Sequence, residues 1–508
     1  MNRQLNQKIG RRIQQGGPFL KGIQSCLALS RIAIVMMLGL GVSSCAVGPS
    51  YQRPEVEVPS HFQDKSGWVQ SAPARVVVYG PWWTVFQNST LNRLEPEVAK
   101  ANQSLRAAYY AYVQANALTR LAQAQYYPTV GSSLALSRSN QAGSTASGSN
   151  GLQSGPSNEA SLGLSASWEP DLWGKIRDSV RAARAGAEAS RGDLLAAQLS
   201  LQGTLAQTYF QFLLVGEEIQ LARKTVASYR ATLRLTRNRY HSGVVTRADV
   251  AQAKTQLDNA RVQLASLGVQ RSQLEHAIAV LIGQPPSLFH LTDKPSRLPA
   301  APLIPAGVPS QILLRRPDLF AAQRRVAQAN AQVGVARSAF FPALTLSAQS
   351  GWRSSVVSDL FKAPSLFWSL GPSLAETLLD GGARKAQVLE TRAAYQEAVA
   401  QYRQDWLQAL QQAEDNLSAL AILQHELYLQ QQAVSAALDS LHLTLNQYRA
   451  GTLPYLNVLT AQTSVYTARN ALLQIEGEQL SATVALIQAL GGGWGEDNGA
   501  KLGPRVLP

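Results

Sequence analysis

The sequence has few cysteines, few charged residues and, beyond its N-terminal region, no long apolar run. Two cysteines in 508 residues leave no disulfide framework. Charged residues are only 15% of the chain and are scattered singly, without the basic, aromatic-rich patch that nucleic-acid binding requires. The most apolar uncharged stretch, from Leu194 to Gly216, contains four glutamines and is too polar for a membrane-spanning helix of ~20 apolar residues.

The residues of common catalytic sites are also missing. The six histidines are scattered, and His425-Glu426 lacks the second histidine that a metalloprotease helix needs four residues further on. No phosphate-binding loop or nucleophile elbow is present. We therefore predict a protein that is not an enzyme and that has no catalytic residues, no metal site and no cofactor.

The N-terminus has the features of a targeting signal. Residues 1–44 carry six basic residues and no acid, which reduces the net charge of the remainder from +14 to +8. The apolar run "IAIVMMLGLGVSSC" ends at Cys45 in a pattern that resembles a bacterial lipobox. We predict that Cys45 becomes the first mature residue and carries N-palmitoyl and S-diacylglycerol groups, and that Ala46 favours sorting to the outer membrane. The alternative is an ordinary signal peptide with an incidental cysteine.

One phrase is nearly repeated 208 residues apart: "YHSGVVTRADV" from Tyr240 and "YRAGTLPYLNV" from Tyr448. After each phrase, apolar residues alternate at spacings of three and four, which predicts a coiled-coil seam. Both seams are interrupted at the same place, by Arg271 and Gln479. The predicted seam residues of the first copy are Val250, Ala253, Leu257, Ala260, Leu264, Leu267, Leu274, Ile278 and Leu281. Those of the second copy are Val458, Ala461, Val465, Ala468, Leu472, Ile475, Ala482, Leu486 and Ala489.

A second correspondence lies upstream, at an offset of 214 residues. Each copy is a helical pattern that is closed by two aromatic residues and a proline, Pro128 or Pro342, where the helix must end. The segments "EASLGLSASW" and "ALTLSAQSGW" then alternate apolar and small polar residues, which is typical of outer-membrane strands. "TVGSSLALS" and "LFWSLGPSL" supply two weaker strands. Four half-buried strands of a soluble sheet would show the same pattern.

Each repeat therefore reads as helix, strand, strand, long helix, tight turn and helix. A helix from about residue 175 to 240 would be roughly 100 Å long, too long for a globular core. Four strands cannot close a barrel: two chains would give eight strands and an interior filled by side chains, and three would give twelve strands and room for a passage. The fold class that we predict is mostly α with β, in which a trimer forms a 12-stranded β-barrel and an α-helical periplasmic barrel.

The repeated phrases are then the tips of two helical hairpins. Gly243 and Gly451 permit a left-handed turn, and Asp249 and Asn457 lie where side-chain oxygens can accept from free backbone N–H groups. The predicted segments are a signal peptide (1–44), a lipidated segment (45–90), a first repeat (91–283; strands 128–139 and 158–169, hairpin 174–283), a proline-rich linker (284–312), a second repeat (313–491; strands 342–353 and 365–377, hairpin 382–491) and a tail (492–508).

Several motifs in the same order resemble the outer membrane factor family of TolC-like channels, and within it the NodT-type efflux lipoproteins. They are "CAVGPSYQRP" from Cys45, "WEPDLWGKIR" from Trp168, "LLRRPDLFAAQRRVAQANAQVGVARSAFFPALTL" from Leu313 and "LLDGGARKAQ" from Leu378. The likeness covers nearly the whole chain. It implies a homotrimer in the outer membrane that works with a periplasmic adaptor and an inner-membrane pump, usually of the resistance-nodulation-division type.

The resemblance also implies roles for the hairpin tips, which close the periplasmic end and meet the adaptor. The residues to which it assigns these roles are Tyr240, Gly243, Val244, Thr246, Asp249, Tyr448, Gly451, Thr452, Leu453 and Leu456. Family gates often carry carboxylates after the second tip, where this chain has Asn457 and Thr460. An acidic ring would therefore have to come from Asp249, unless Asp249 is only a residue at a helix start.

The function that we predict is a passive outer-membrane exit channel for small molecules, driven by a separate pump. One alternative is the outer-membrane exit of a type I protein secretion system, and a weaker one is a lipid-anchored periplasmic coiled-coil scaffold. The paired ten-residue strands disfavour a scaffold, which needs no barrel. The exported substrate cannot be deduced from these residues, because the pump and the adaptor select it.

Overall fold

The computed structural model describes residues 47–57, 81–140, 156–291, 297–302 and 315–492. The chain forms two compact units: the first comprises Met1–Tyr51, Arg120–Ala182 and Asn330–Ala393, and the second comprises Gln52–Thr119, Ala183–Ala329 and Ala394–Pro508. Cys45 and the rest of the signal region lie outside the described residues, as do parts of the linker and of the tail.

The first unit contains one antiparallel sheet of four strands in the order β1-β2-β3-β4. The strands are β1 (Thr129–Asn140), β2 (Pro156–Trp168), β3 (Ala343–Ser354) and β4 (Leu366–Ala375). β1 and β2 come from the first repeat and β3 and β4 from the second, and β2 pairs with β3 across the two repeats, for example Gly163 with Gly351. The alternating pattern thus correctly predicted four strands.

The two junctions from strand to helix are built alike. After β2, the carboxylate of Asp171 accepts hydrogen bonds from the backbone N–H groups of Ile176 (3.1 Å) and Arg177 (2.8 Å). After β4, Asp380 accepts from the N–H of Gly382 (3.0 Å) and from the backbone and guanidinium of Arg384. These bonds satisfy the first N–H groups of the helices that follow, and hydrogen bonding to Arg384 lowers the pKa of Asp380 to about 2.

Seven α-helices account for most of the described chain. They are α1 (Ser89–Ala101), α2 (Gln103–Ala124), α3 (Lys175–His241), α4 (Arg247–Leu281), α5 (Pro317–Ser338), α6 (Ala383–Ala450) and α7 (Tyr455–Ala489). α3 and α6 have 67 and 68 residues, so each is roughly 100 Å long. None of the helices in the described ranges is long and apolar enough to cross a bilayer.

The coiled-coil seam of α4 packs as the periodicity predicts. All nine of its predicted positions are buried or lie against the buried clusters of the second unit. The predicted seam of α7 accounts for only part of its packing, because the C-terminal turns of this helix are buried on more than one face. Leu480, Val484 and Ile487 join the main core, while Leu486 and Ala489 join a separate cluster with Ala413 and Leu417.

The main core of the second unit includes residues 82–86, which the sequence predicts only as part of the lipidated segment 45–90. Trp82 and Phe86 lie on a short 3-10 helix (Trp82–Phe86) and are 1% and 4% exposed. Phe86 packs against Phe210 of α3, with ring centroids 4.8 Å apart. The isolated aromatic residues Trp82 and Phe86 have no periodic pattern, so their burial depends on tertiary contacts.

The described N-terminal segment, residues 47–57, contributes residues 47–51 to the first unit and residues 52–57 to the second. In the first unit, Pro49 accepts a hydrogen bond from Asn330 (3.1 Å), and Gly48 contacts Gly334 closely beside the buried Asp178. In the second unit, Trp406 donates to the carbonyl of Glu57 (3.0 Å). These contacts hold the segment by its backbone.

Candidate functional site

One face of the sheet is apolar and exposed, and the other carries small polar residues. The register places the apolar residues opposite one another, for example Leu162 beside Trp352 and Leu344 beside Leu374. Several of these side chains are about 70% exposed: Val130, Leu134, Leu136, Trp368, Leu370 and Leu374. The opposite face carries mainly glycine, serine, threonine and glutamine, together with Phe367 and the ion pair between Arg353 and Glu159. Strands of 10 to 13 residues with this alternation have the length and polarity of outer-membrane strands.

Aromatic residues mark both ends of this sheet. At the end where β1 and β3 begin, Trp168 donates to the carbonyl of Tyr126 (3.0 Å), and Trp173 stacks on Phe341 at 4.9 Å. At the opposite end, Trp352, Phe361 and Trp368 lie close to one another in the sheet or its connection, and Trp352 contacts Phe361. Two aromatic belts with an apolar band between them are typical of a protein that spans a membrane, because aromatic rings favour the two interfaces.

The two hairpin tips of the second unit have the same backbone geometry. Gly243 has φ +73° and Gly451 has φ +82°, the left-handed conformation that favours glycine. In the first tip, Val244 N–H donates to the carbonyl of Arg239 (2.9 Å), and Gly243 N–H donates to Tyr240 (2.9 Å). The second tip repeats both bonds at 3.1 and 3.0 Å, from Thr452 and Gly451. Both long helices therefore end in a Schellman motif.

The helices that follow the tips begin differently. α4 has a capping box: Thr246 Oγ1 accepts from Asp249 N–H (3.3 Å), and Asp249 Oδ2 accepts from Thr246 N–H (2.9 Å). α7 begins after Pro454, which offers no side-chain cap. Asp249 is expected from the sequence either to form an acidic ring or to be only a residue at a helix start. The capping box supports the role at the helix start. The expected cap at Asn457 is not found, because the helix begins at Tyr455 with Pro454 at its N-cap position.

Most of the tip residues that the sequence singles out are exposed in the protomer. Tyr240 (41%), Val244 (59%) and Leu456 (56%) are large apolar side chains that face solvent. Gly243, Thr246, Gly451 and Thr452 are exposed as well, and Asp249 and Leu453 are half-buried. Tyr448 is the exception, because it is fully buried. The turns are therefore free to make contacts outside the protomer.

Tyr448 belongs to a buried link between the two hairpins. Its hydroxyl lies 3.2 Å from Thr236 Oγ1, its carbonyl accepts a hydrogen bond from Arg239, and the guanidinium of Arg239 lies 4.5 Å above its ring. Tyr455 packs edge-on against it, and burial together with the nearby phenols and Asp249 raises the pKa of Tyr455 to about 12.

Thr236, Arg239 and Tyr455 are not among the tip residues that the sequence predicts. A signal was available in the repeat itself. At the offset of 208 residues, Arg239 aligns with Gln447 and Tyr455 aligns with Arg247, so the two repeats differ at two of the positions that make the inter-hairpin contacts. Thr236 aligns with Thr444, so no difference between the repeats marks it.

Known proteins with this architecture are outer-membrane channels. The family model described as "Outer membrane efflux protein" matches residues 95–284 and 308–492. The chain belongs to the outer membrane efflux protein family. The two matched segments correspond to the two repeats. Membership confirms a mostly helical, two-fold repeated chain with four antiparallel strands, and it confirms the outer-membrane efflux channel function, which is not enzymatic.

Individual relatives match over almost their whole length. The chain is 31% identical over 473 residues to the pyoverdine export outer membrane protein OpmQ of Pseudomonas aeruginosa, covering 92% of this chain and 97% of that protein. It is 28% identical over 457 residues to the cation efflux system protein CusC of Escherichia coli K12, covering 90% and 98%. The solved structure of the outer-membrane channel OprN superposes with a TM-score of 0.80 at 29% identity, covering 89% and 100%.

Proposed function

We propose that three copies of this chain assemble into one channel, the outer-membrane exit of a tripartite pump that exports small molecules. The observation that carries the proposal is the open four-stranded sheet. Among the described residues, β1 and β4 each pair on one side only, which leaves two exposed strand edges beside an apolar face. Neither edge can remain unpaired in lipid, where free backbone groups are costly. Pairing β1 of each copy with β4 of the next closes twelve strands around a passage.

A stripe on α6 supports the same assembly. Ile422, Leu429 and Leu443 recur at spacings of 7 and 14 residues and are 52% to 62% exposed in the protomer. A heptad stripe of apolar residues is the seam of a coiled coil. Because this face is exposed within the protomer, the helix of a neighbouring copy is the partner that we propose for it.

The position of the N-terminal segment supports a lipid anchor on Cys45. The first described residue, Val47, donates from its N–H to the carbonyl of Trp173 (3.5 Å), at the aromatic belt where β1 and β3 begin. Cys45 precedes Val47 by two residues in the sequence, so we propose this belt as the place where a lipid on Cys45 meets the membrane. Acyl chains attached there would enter the membrane leaflet on the helical side of the sheet.

The hairpin tips are the surfaces that we propose for closing the periplasmic end and for meeting a periplasmic adaptor, which links the channel to an inner-membrane pump. Their exposed side chains, Tyr240, Val244 and Leu456, lie beside rigid glycine turns. OpmQ is named for pyoverdine export and CusC for cation efflux. Relatives with such different cargoes suit a channel whose substrate is chosen by its pump and adaptor, and we assign this chain small-molecule export on that basis.

The assembly is tested by native mass measurement of the full-length protein in detergent. We expect three copies per particle, with circular dichroism of mostly helix and a minor sheet fraction. A monomer with intact sheet would contradict the proposal, because one chain supplies only four strands.

A further inference from the structure

Three helices of the second unit separate to leave an open cleft of about 470 Å³. α3, α4 and α7 each present one face to it, with residues at spacings of three and four, such as Gln211, Leu214, Val215 and Glu218 on α3. The cleft lies at the level where the seams of α4 and α7 are interrupted, by Arg271 and Gln479. The interrupted seams therefore mark in the sequence where the coiled coil opens, but they do not show which residues line the cleft.

Glycine brings two of the helices close together at one wall of the cleft. A Cβ at Gly477 of α7 would lie 2.7 Å from Leu214 of α3. One turn earlier on α7, the amide of Gln474 donates a hydrogen bond to Glu218 of α3. A volume of this size is within the range of pockets that hold drug-sized molecules.

The lining is acidic and has no basic side chain. Glu218 is 6% exposed and lies in the wall, where it accepts a hydrogen bond from the amide of Gln474. Glu478 lies on α7, one turn beyond Gln474, and is exposed at the opening. Arg271 is near the cleft but does not line it, and its guanidinium lies 5.0 Å from the centroid of the Phe212 ring. Burial raises the pKa of Glu218, opposed by the Gln474 amide, as expected for a carboxylate without an ion-pair partner.

We propose that this cleft binds a drug-sized organic monocation, whose charge faces Glu218 and Glu478 and whose apolar body contacts Leu214, Val215 and Leu274. Amides such as Gln270 and Gln273 would accept or donate further hydrogen bonds. A metal ion fits less well, since no group of three or more His, Cys, Asp or Glu in the described part of the chain could hold one. The proposal concerns the protomer wall and does not depend on the trimer or on a pump.

Ethidium, a planar organic monocation, provides the test by fluorescence anisotropy with the full-length protein in detergent. We expect saturable binding with one site per chain. The double variant Glu218→Gln/Glu478→Gln should bind at least tenfold more weakly, because both carboxylates are lost. Glu217→Gln is the matched control: it makes the same charge change on the neighbouring residue, which does not line the cleft, and should bind as the wild type does.

Two further measurements distinguish binding in the cleft from non-specific binding of a cation to the protein. Uncharged 3,8-diamino-6-phenylphenanthridine, the parent ring of ethidium, should bind the wild type about tenfold more weakly than ethidium and should not distinguish the variants. Glu478→Lys changes an exposed residue, so the fold is preserved even if the double variant fails to assemble, and it should also weaken ethidium binding at least tenfold. The proposal is overturned by absence of saturable binding, by equal binding of the neutral ring, or by an equal loss in Glu217→Gln.

Discussion

At the tip of the second hairpin, Leu456 is 56% exposed, while Leu453 is half-buried behind Pro454. The carboxylate of Asp249 at the first tip is already occupied as a helix cap by Thr246. An apolar ring obstructs hydrated ions by dewetting, whereas a carboxylate ring would bind and select cations. We therefore expect the resting periplasmic end to be narrowed by apolar side chains, with Leu456 at the constriction.

Replacement of Leu456 by alanine should raise the single-channel conductance in planar bilayers and increase the uptake of bulky antibiotics, because three apolar side chains would leave the constriction. Asp249→Asn should leave conductance nearly unchanged, and it should destabilise the start of α4 by about 1 kcal/mol through loss of the charged cap. A conductance that rises with Asp249→Asn and not with Leu456→Ala would show that the gate is electrostatic.

Glu95 of α1 is fully buried, and neither of its carboxylate oxygens has a hydrogen-bond partner among the described residues. Its neighbours on the same helix, Leu91, Leu94 and Val98, belong to the main core of the second unit. Burial raises the pKa of Glu95 from 4.5 to about 9, so the side chain is protonated at neutral pH. Ionisation in this surrounding is unfavourable because no charge or donor compensates it.

The stability of the protein should therefore fall as the pH rises from 4.5 to 9. In this window the folded state retains a proton on Glu95 that the unfolded state has released, so the free energy of unfolding decreases with pH, by up to roughly 6 kcal/mol at the high end. Glu95→Gln should remove this slope, as measured by thermal unfolding between pH 5 and pH 9. Glu97→Gln, which changes an exposed residue paired with Lys100, should retain it. Equal slopes in all three proteins would contradict the assignment.

At Gly351, the backbones of β2 and β3 leave no room for a Cβ atom. Gly163 and Gly351 lie opposite each other, and a Cβ at Gly351 would lie 2.2 Å from the carbonyl oxygen of Leu162. The contact is with backbone, which cannot rotate away as a side chain can. The pair that joins the two repeats in the sheet therefore requires glycine at position 351.

We expect Gly351→Ala to weaken the sheet by about 1–3 kcal/mol, because the two strands would have to separate. Heating the detergent-solubilised assembly and following dissociation on gels should show an earlier transition. Gly371→Ala is the control on β4, where a Cβ meets nothing within 4 Å, and should behave as the wild type does. If the two variants dissociate at the same temperature, the close approach does not limit stability.

For the whole molecule, attachment to the membrane and closure of the barrel are separate events. Labelled palmitate should enter the wild type and should not enter Cys45→Ser, which lacks the thiol that is modified. The variant should still form trimers, because strand pairing and not lipid satisfies the sheet edges. Labelling of Cys45→Ser would exclude the lipid assignment, and loss of trimers in an unlabelled variant would show that the anchor is needed for assembly.

The sequence by itself determined the elements of this protein. Alternation with period two predicted the four strands, spacing of three and four predicted the seam of α4, and Gly243 and Gly451 predicted the two left-handed turns. Each of these is local: the period of a strand or helix decides which residues share a face, and only glycine takes a positive φ without strain.

The tertiary structure decided which residues meet across elements. The pairing of β2 with β3, the burial of Trp82 beside α3, the link from Arg239 to Tyr448 and the acidic cleft all join positions that are distant in the sequence. No spacing rule connects such residues, because their contacts depend on how far each helix and strand extends before the chain turns. For the same reason, the sequence could predict that Asp249 lies in the first turn of a helix. Only the structure shows that the hydroxyl and the backbone N–H of Thr246 donate hydrogen bonds to its carboxylate.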